Sequence, residues 1–141
     1  MRQDEIQFFL VDDDKDDHEF FKYALRKIDP KINCATANNG VEALELMGAN
    51  ESFIPDFIFL DINMPKMNGK ECLVHLMKIE KLSLVPIYMY TTSSSEADKT
   101  ETLQAGATGF ITKPASIGLL QKILTEIIDP LRWQQGVCNK A

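Results

Sequence analysis

The segment from Asp61 to Gly69 offers the clearest chemistry in this sequence. Asp61 directly follows the apolar run Phe57-Ile58-Phe59-Leu60, where a buried strand gives way to a turn. A carboxylate at such a point lies at the rim of a sheet, shielded from bulk water but within reach of a ligand. Because aspartate carboxylates can serve as covalent phosphate acceptors, the placement suggests that Asp61 accepts a phosphoryl group.

Polar side chains follow the other predicted strands in the same way. Asp12 and Asp13 follow the first strand, Thr91 follows the fourth and Lys113 follows the fifth. In an open parallel sheet, ligands bind beyond the carboxyl ends of the strands. These side chains are therefore predicted to converge with Asp61 on one edge of the sheet.

Clustered carboxylates at that edge need a cation, because they repel one another and raise each other's pKa. Mg²⁺ is the natural choice, since it takes one or two carboxylates and accepts phosphate oxygens. Asp12 and Asp13 are predicted to hold the ion and leave Asp61 free to react. The Thr91 hydroxyl and the Lys113 amine are suited to bind the phosphoryl oxygens once they arrive.

The elements that must position these residues alternate along the chain between short apolar and longer amphipathic segments. Five strands are predicted, at Ile6 to Val11, Lys31 to Ala37, Phe57 to Leu60, Ile87 to Tyr90 and Gly109 to Thr112. Five helices are predicted, at Asp14 to Ile28, Gly40 to Met47, Gly69 to Ile79, Ser95 to Ala105, and from a Ser116 cap to Ile128. This pattern predicts an α/β fold with a doubly wound parallel sheet and helices on both faces. The pattern fades after Ile128, which predicts a C-terminal tail over residues 129–141 and no output domain.

Length and composition limit the class of protein further. A chain of 141 residues with 45% apolar residues fits one globular domain. The net charge of −6 argues against nucleic acid or an anionic membrane as a partner. No apolar run approaches the roughly 20 residues that span a bilayer, and the N-terminus lacks the pattern of a signal peptide. Cys34, Cys72 and Cys138 have no metal-ligand spacing, so free thiols in a reducing cytoplasm are expected.

Four motifs together resemble the receiver domain of two-component response regulators. They are the segments Phe8 to Asp14, Asp61 to Gly69, Pro86 to Ser93 and Ala105 to Pro114. Each motif alone is weak, but four in order at strand ends are specific, and they cover about residues 6 to 128. The resemblance, which is to single-domain chemotaxis-type receivers, implies a flavodoxin-like sheet of order 2-1-3-4-5 and a receiver domain over residues 4–128.

The resemblance also implies a role for each matching acidic residue. Asp61 matches the phosphoacceptor, and Asp12 and Asp13 match the acidic pair, of which Asp13 is favoured as the direct Mg²⁺ ligand. Asn63 matches the position whose backbone carbonyl joins the ion.

Three further residues match the phosphoryl-binding and switching positions. Thr91 and Lys113 match the hydroxyl and the lysine that bind the phosphoryl group. Phe110 matches an aromatic switch on the fifth strand, although a purely structural core role is equally open. The bond between Lys113 and Pro114 matches a peptide bond that is typically cis.

The function implied by the resemblance is that of a stand-alone receiver. Asp61 is expected to accept a phosphoryl group from a sensor histidine kinase or a phosphotransfer protein, with Mg²⁺ as cofactor. Phosphorylation is expected to switch the surface of the fourth helix, fifth strand and last helix toward an unidentified protein target. The domain is expected to be a stoichiometric phosphoacceptor in the cytoplasm rather than an enzyme, and to bind neither nucleic acid nor membrane.

Two other functions remain open at this point. One is a constitutive interaction module of the pseudo-receiver kind, and the other is a small phosphatase with an aspartate nucleophile. A calcium loop is excluded because Asp17 stands where the required glycine would be, and Tyr23 where the final glutamate would be. Asp14, Asp16 and Asp17 are interpreted as acids at a helix start.

Several single residues carry weaker predictions. His18 and His75 are interpreted as surface histidines within amphipathic helices. Thr92 stands where receivers usually have a small residue, so it is predicted to affect how long a phosphoryl group on Asp61 lasts. Phe110 lacks the hydroxyl of the tyrosine often found at its position, which excludes a hydrogen bond from that ring.

Overall fold

The computed structural model describes residues 5–132 and shows five strands in one sheet. Its strands are β1 (Gln7–Val11), β2 (Asn33–Ala37), β3 (Phe57–Leu60), β4 (Ile87–Thr91) and β5 (Gly109–Thr112). All neighbouring strands run parallel, in the order β2-β1-β3-β4-β5. The predicted fold class and strand order are therefore confirmed.

Five α-helices connect or follow the strands. They are α1 (Lys15–Ile28), α2 (Gly40–Ala49), α3 (Gly69–Met77), α4 (Glu96–Gln104) and α5 (Ile117–Arg132), with a short 3-10 helix at Glu80–Leu82 after α3. All five begin at a side chain that accepts a backbone N–H of the first turn, namely Asp14, Asn39, Asn68, Ser95 and the predicted cap Ser116. Within residues 5–132, none of these helices has the length and apolar character needed to cross a membrane.

Two hydrophobic layers cover the two faces of the sheet. On the side of α1 and α5, an aromatic cluster packs with ring centroids 5.0 to 5.9 Å apart, formed by Phe8, Phe21, Phe59 and Tyr90. On the other side, α2 and α3 pack against alternate residues of the same strands, such as Phe9 and Ile58. Every residue of β3 is buried, which explains its unbroken apolar sequence.

The predicted end of the last helix is wrong. α5 continues four residues past Ile128 and includes Pro130. The division into a receiver domain over residues 4–128 and a C-terminal tail over residues 129–141 stays a prediction. Proline removes one helical hydrogen bond, but Leu120, Leu124 and Ile128 are fully buried, and their packing stabilises the helix up to this point. The rest of the predicted tail, residues 133–141, lies outside the described residues.

Candidate functional site

Asp12 and Asp61 lie side by side because the strands that precede them are neighbours. The backbone N–H of Asp61 donates to the Val11 carbonyl at 3.0 Å, and the N–H of Asp12 donates to the Ala37 carbonyl at 3.0 Å. These bonds extend the pairing of the sheet by one residue and fix both backbones. Carboxylate oxygens of Asp12, Asp13 and Asp61 lie within 4.8 Å of one another. The predicted convergence of the three acids is therefore present.

Lys113 reaches into this acidic group from the end of β5. Its Nζ lies 2.8 Å from Asp12 Oδ2 and 3.3 Å from Asp61 Oδ2, and its side chain is only 10% exposed. The contact with Asp12 is an ion pair rather than an aligned hydrogen bond, since Asp12 Oδ2 has no donor in hydrogen-bond geometry. No cis peptide bond occurs among residues 5–132, so the expected cis bond before Pro114 is wrong. Lys113 reaches the acids without it.

Burial and charge act against each other in this group. Asp12 is fully buried, and its desolvation raises its pKa although Lys113 favours the charged form. Burial also disfavours the charge of Lys113, but its contacts with Asp12 and Asp17 outweigh this and raise its pKa. Lys113 is therefore a cation, and the carboxylates of Asp12, Asp17 and Asp61 lie within 3.3 Å of its Nζ. With Asp13 beside Asp12 and Asp61, the site has more acidic than basic side chains.

The donor set fits a hard divalent cation. Asp61 Oδ1 is buried and has no hydrogen-bond partner in the described structure. A buried acceptor without a donor is unfavourable, and a cation bound to it would remove that cost. Oxygen donors from Asp12, Asp13 and Asp61 are the ligands that Mg²⁺ prefers. Asn63 is exposed two residues after Asp61, and the role of its backbone carbonyl stays a prediction.

Thr91 lies at the end of β4, beside Lys113. The Lys113 backbone N–H donates to the Thr91 carbonyl at 2.8 Å, and the Thr91 side chain is fully buried. Its Oγ1 accepts the Ser93 N–H at 3.3 Å, whereas the neighbouring Thr92 is exposed. Phe110 on β5 is half-buried and packs against the core layer of α2 and α3. The phosphoryl-binding role of Thr91, the switching role of Phe110 and the effect of Thr92 stay predictions.

Two residues of α1 belong to this site although they were not predicted there. Asp17, interpreted as an acid at a helix start, has its Oδ2 2.6 Å from Lys113 Nζ. His18, interpreted as a surface histidine, is 6% exposed, and its Nε2 donates to the Asp12 backbone carbonyl at 2.6 Å. The sequence does indicate that His18 is buried, because it precedes the buried Phe21 and Leu25 at helical spacing and so lies on the same face of α1. His75 is exposed on α3, as predicted.

The His18 hydrogen bond gives a first testable prediction. His18→Ala would leave the buried Asp12 carbonyl without this donor, so we expect the free energy of unfolding to fall by about 1–3 kcal/mol. The exposed His75 offers a matched control, and His75→Ala should change the free energy of unfolding by less than about 0.5 kcal/mol. Urea denaturation of both variants measures the difference. Equal stabilities would show that the Asp12 carbonyl does not depend on His18.

Comparison with known proteins agrees with this geometry. A sequence model described as the response regulator receiver domain matches residues 8–125. Among curated proteins, the chain is 33% identical over 106 residues to the sensor histidine kinase CheAY of Helicobacter pylori, which covers 75% of this chain and 13% of that protein. The chain spans between 13% and 33% of the length of the first curated relatives that it matches.

Solved structures show the same fold. The phosphorylated cyanobacterial phytochrome response regulator RcpA superposes with a TM-score of 0.79 at 28% identity, covering 89% of this chain and 92% of that one. A chain of the CheX-CheY-BeF₃-Mg²⁺ complex of Borrelia burgdorferi superposes with a TM-score of 0.73 at 26% identity, covering 89% of this chain and 88% of the other.

Proposed function

The chain belongs to the response regulator receiver domain family, and we propose that its Asp61 accepts a phosphoryl group in the presence of Mg²⁺. The donor would be a phosphohistidine on a sensor histidine kinase or a phosphotransfer protein. The observation that carries the proposal is the place of Asp61. This carboxylate is 5% exposed, within 4.8 Å of two other acids, and in contact with the Lys113 ammonium.

Four groups of this chain would hold the ion. They are the carboxylates of Asp12, Asp13 and Asp61, and the backbone carbonyl of Asn63. When bound, Mg²⁺ supplies positive charge that neutralises the phosphoryl oxygens and the attacking carboxylate. The orphaned Asp61 Oδ1 supports this assignment, because the described residues provide no donor for it.

The transfer requires positioning more than covalent chemistry from the protein. A carboxylate oxygen of Asp61 attacks the phosphorus of the donor and forms a P–O bond. The P–N bond of the phosphohistidine breaks, and its electron pair stays on the imidazole nitrogen, which takes up a proton. Lys113 is already 3.3 Å from Asp61 Oδ2 and can donate to a phosphoryl oxygen as charge shifts there.

The signal would leave through the segment that follows β4. The proposed readout is that Thr91 and Lys113 bind the phosphoryl group and Phe110 turns inward. Support comes from the contacts of Ser93, whose N–H donates to Thr91 Oγ1 and whose Oγ donates to Asp98 Oδ2 of α4 at 2.8 Å. A movement of Thr91 would thus be transmitted to α4, and the surface of α4, β5 and α5 would change toward a protein target.

Labelling with radioactive acetyl phosphate tests the proposal on the wild-type protein. With Mg²⁺ present, we expect the label to rise to no more than one phosphoryl group per chain, and to be lost when EDTA is added beforehand. No labelling under these conditions would contradict the proposal and would favour an interaction module that is not phosphorylated. Continuous release of phosphate from a phosphate ester would instead support a phosphatase.

A further inference from the structure

The Lys113 ammonium has three carboxylate neighbours, and the closest does not belong to the group that fits the ion. Its Nζ is 2.6 Å from Asp17, 2.8 Å from Asp12 and 3.3 Å from Asp61. The ammonium donates hydrogen bonds to Asp17 and Asp61, and it forms an ion pair with Asp12. The acids placed together as a candidate metal group are Asp12, Asp13 and Asp61, without Asp17.

Lys113 and a divalent cation compete for the same carboxylates. Asp12 Oδ2 and Asp61 Oδ2 face the ammonium, and the same two carboxylates belong to the group that would hold the ion. A cation that binds them withdraws their charge from Lys113 and repels its ammonium. A buried lysine that loses its carboxylate partners is strongly unfavourable, so ion binding would be opposed unless another partner remained.

Asp17 is placed to be that partner. It lies on the first turn of α1, and its side chain is 30% exposed, so its charge is less costly to maintain than that of the buried Asp12. Lys113 can stay bound to Asp17 while Asp12 and Asp61 turn their oxygens to the ion.

We propose that Asp17 is a positioning residue that holds Lys113 beside Asp61 when Mg²⁺ binds, and thereby reduces competition between the ammonium and the ion. The proposal rests on the proposed function, because it requires that this site takes Mg²⁺. It assigns to Asp17 a role that acts through Lys113 and needs no contact between Asp17 and the ion.

A double-mutant cycle measured with Mg²⁺ alone tests this role. Calorimetric titration with MgCl₂ would compare the wild-type protein, Asp17→Asn, Lys113→Met and the double variant. In Asp17→Asn, the ammonium falls back on Asp12 and Asp61, so we expect the Kd for Mg²⁺ to rise about threefold or more. Lys113→Met removes the competitor and should lower this Kd. In the Lys113→Met background, Asp17→Asn should then raise the Kd for Mg²⁺ only as much as the removal of any nearby negative charge would.

Two further variants make the cycle specific. Asp16→Asn removes the same charge from the same turn of α1 at an exposed position, and so measures the effect of charge alone. Asp17→Glu keeps a carboxylate for Lys113 and should restore most of the affinity lost in Asp17→Asn. Circular dichroism would verify that each variant is folded.

The outcomes separate this inference from the proposed function. If Asp17→Asn weakens Mg²⁺ binding equally with and without Lys113, or no more than Asp16→Asn does, the positioning role is wrong while the receiver function stands. If the wild-type protein neither binds Mg²⁺ nor accepts a phosphoryl group from acetyl phosphate, the proposed function is wrong, and so is the positioning role of Asp17.

Discussion

Asp61→Asn is expected to reduce labelling by acetyl phosphate to background while the protein stays as stable as the wild type. An amide has nearly the shape of a carboxylate but no nucleophilic oxygen, so the acceptor is lost without a change in packing. Asp61 lies close to the carboxylates of Asp12 and Asp13, and removing its charge relieves repulsion among them. Asp12 and Asp17 remain as partners of Lys113. The measurement pairs radiolabelling with thermal unfolding.

The control for this variant is an aspartate away from the acidic group. Asp16 is exposed on α1, and Asp16→Asn should label like the wild type. Mapping of the labelled peptide would locate the phosphoryl group. Retained labelling in Asp61→Asn, on Asp12 or Asp13 for example, would show that the acceptor has been misassigned. Loss of both labelling and stability would point to a structural role for the charge itself.

The ends of the strands were predicted correctly where a polar residue directly follows an apolar run. β3 ends at Leu60 as predicted, because Asp61 begins the turn. β2 was predicted from Lys31 but starts at Asn33, although Ile32 is buried. Apolar sequence indicates burial, whereas a strand is defined by pairing with its neighbour, and the two differ at strand ends.

The helix ends show the same difference. α3 was predicted to reach Ile79 but ends at Met77, and the chain then forms a 3-10 turn in which Leu82 is buried. Ile79 packs against the core although it lies beyond the end of α3. Its apolar side chain therefore indicated burial correctly but not a helical backbone. Where local hydrogen bonding and tertiary packing compete, a single sequence does not reveal which one prevails.

At the site, the sequence predicted the residues that follow strands and missed those that approach from a helix. The topology of a parallel sheet brings Asp12, Asp61 and Lys113 to one edge whatever the details of the loops. Whether Asp17 meets Lys113 depends on the turn between β1 and α1 and on the reach of a long side chain across the edge. Neither has a periodic signature in the sequence, so only the structure identifies the contact.

Gly69→Ala is expected to be the most destabilising small substitution near the site. A Cβ at Gly69 would lie 2.0 Å from the Asp61 backbone oxygen and 2.7 Å from Ile62 Cα. Both are backbone atoms, so no side-chain rotation can relieve the clash. The Gly69 N–H also donates to the Ile62 carbonyl at 2.8 Å, which fixes the start of α3 against this loop. We expect the free energy of unfolding to fall by about 3 kcal/mol, measured by urea denaturation.

Gly48 offers the matched control, because a Cβ added there would meet nothing within 4 Å. Gly48 lies within α2, where alanine is favoured over glycine, so Gly48→Ala should be neutral or stabilising by up to about 1 kcal/mol. If Gly69→Ala were as stable as Gly48→Ala, the close approach of α3 to Asp61 would not exist in solution.

Gly69→Ala should also impair phosphorylation in the molecules that remain folded. To admit a methyl group, the start of α3 and the Asp61 carbonyl must move apart, and this displaces the backbone that carries the acceptor. Asp61 Oδ2 would then lie farther from Lys113, and the three acids would no longer lie close enough together to hold one cation. Labelling normalised to the folded fraction should therefore fall in Gly69→Ala, because the acceptor needs its position as well as its carboxylate. Normal labelling of the folded fraction would show that the loop adjusts without moving Asp61.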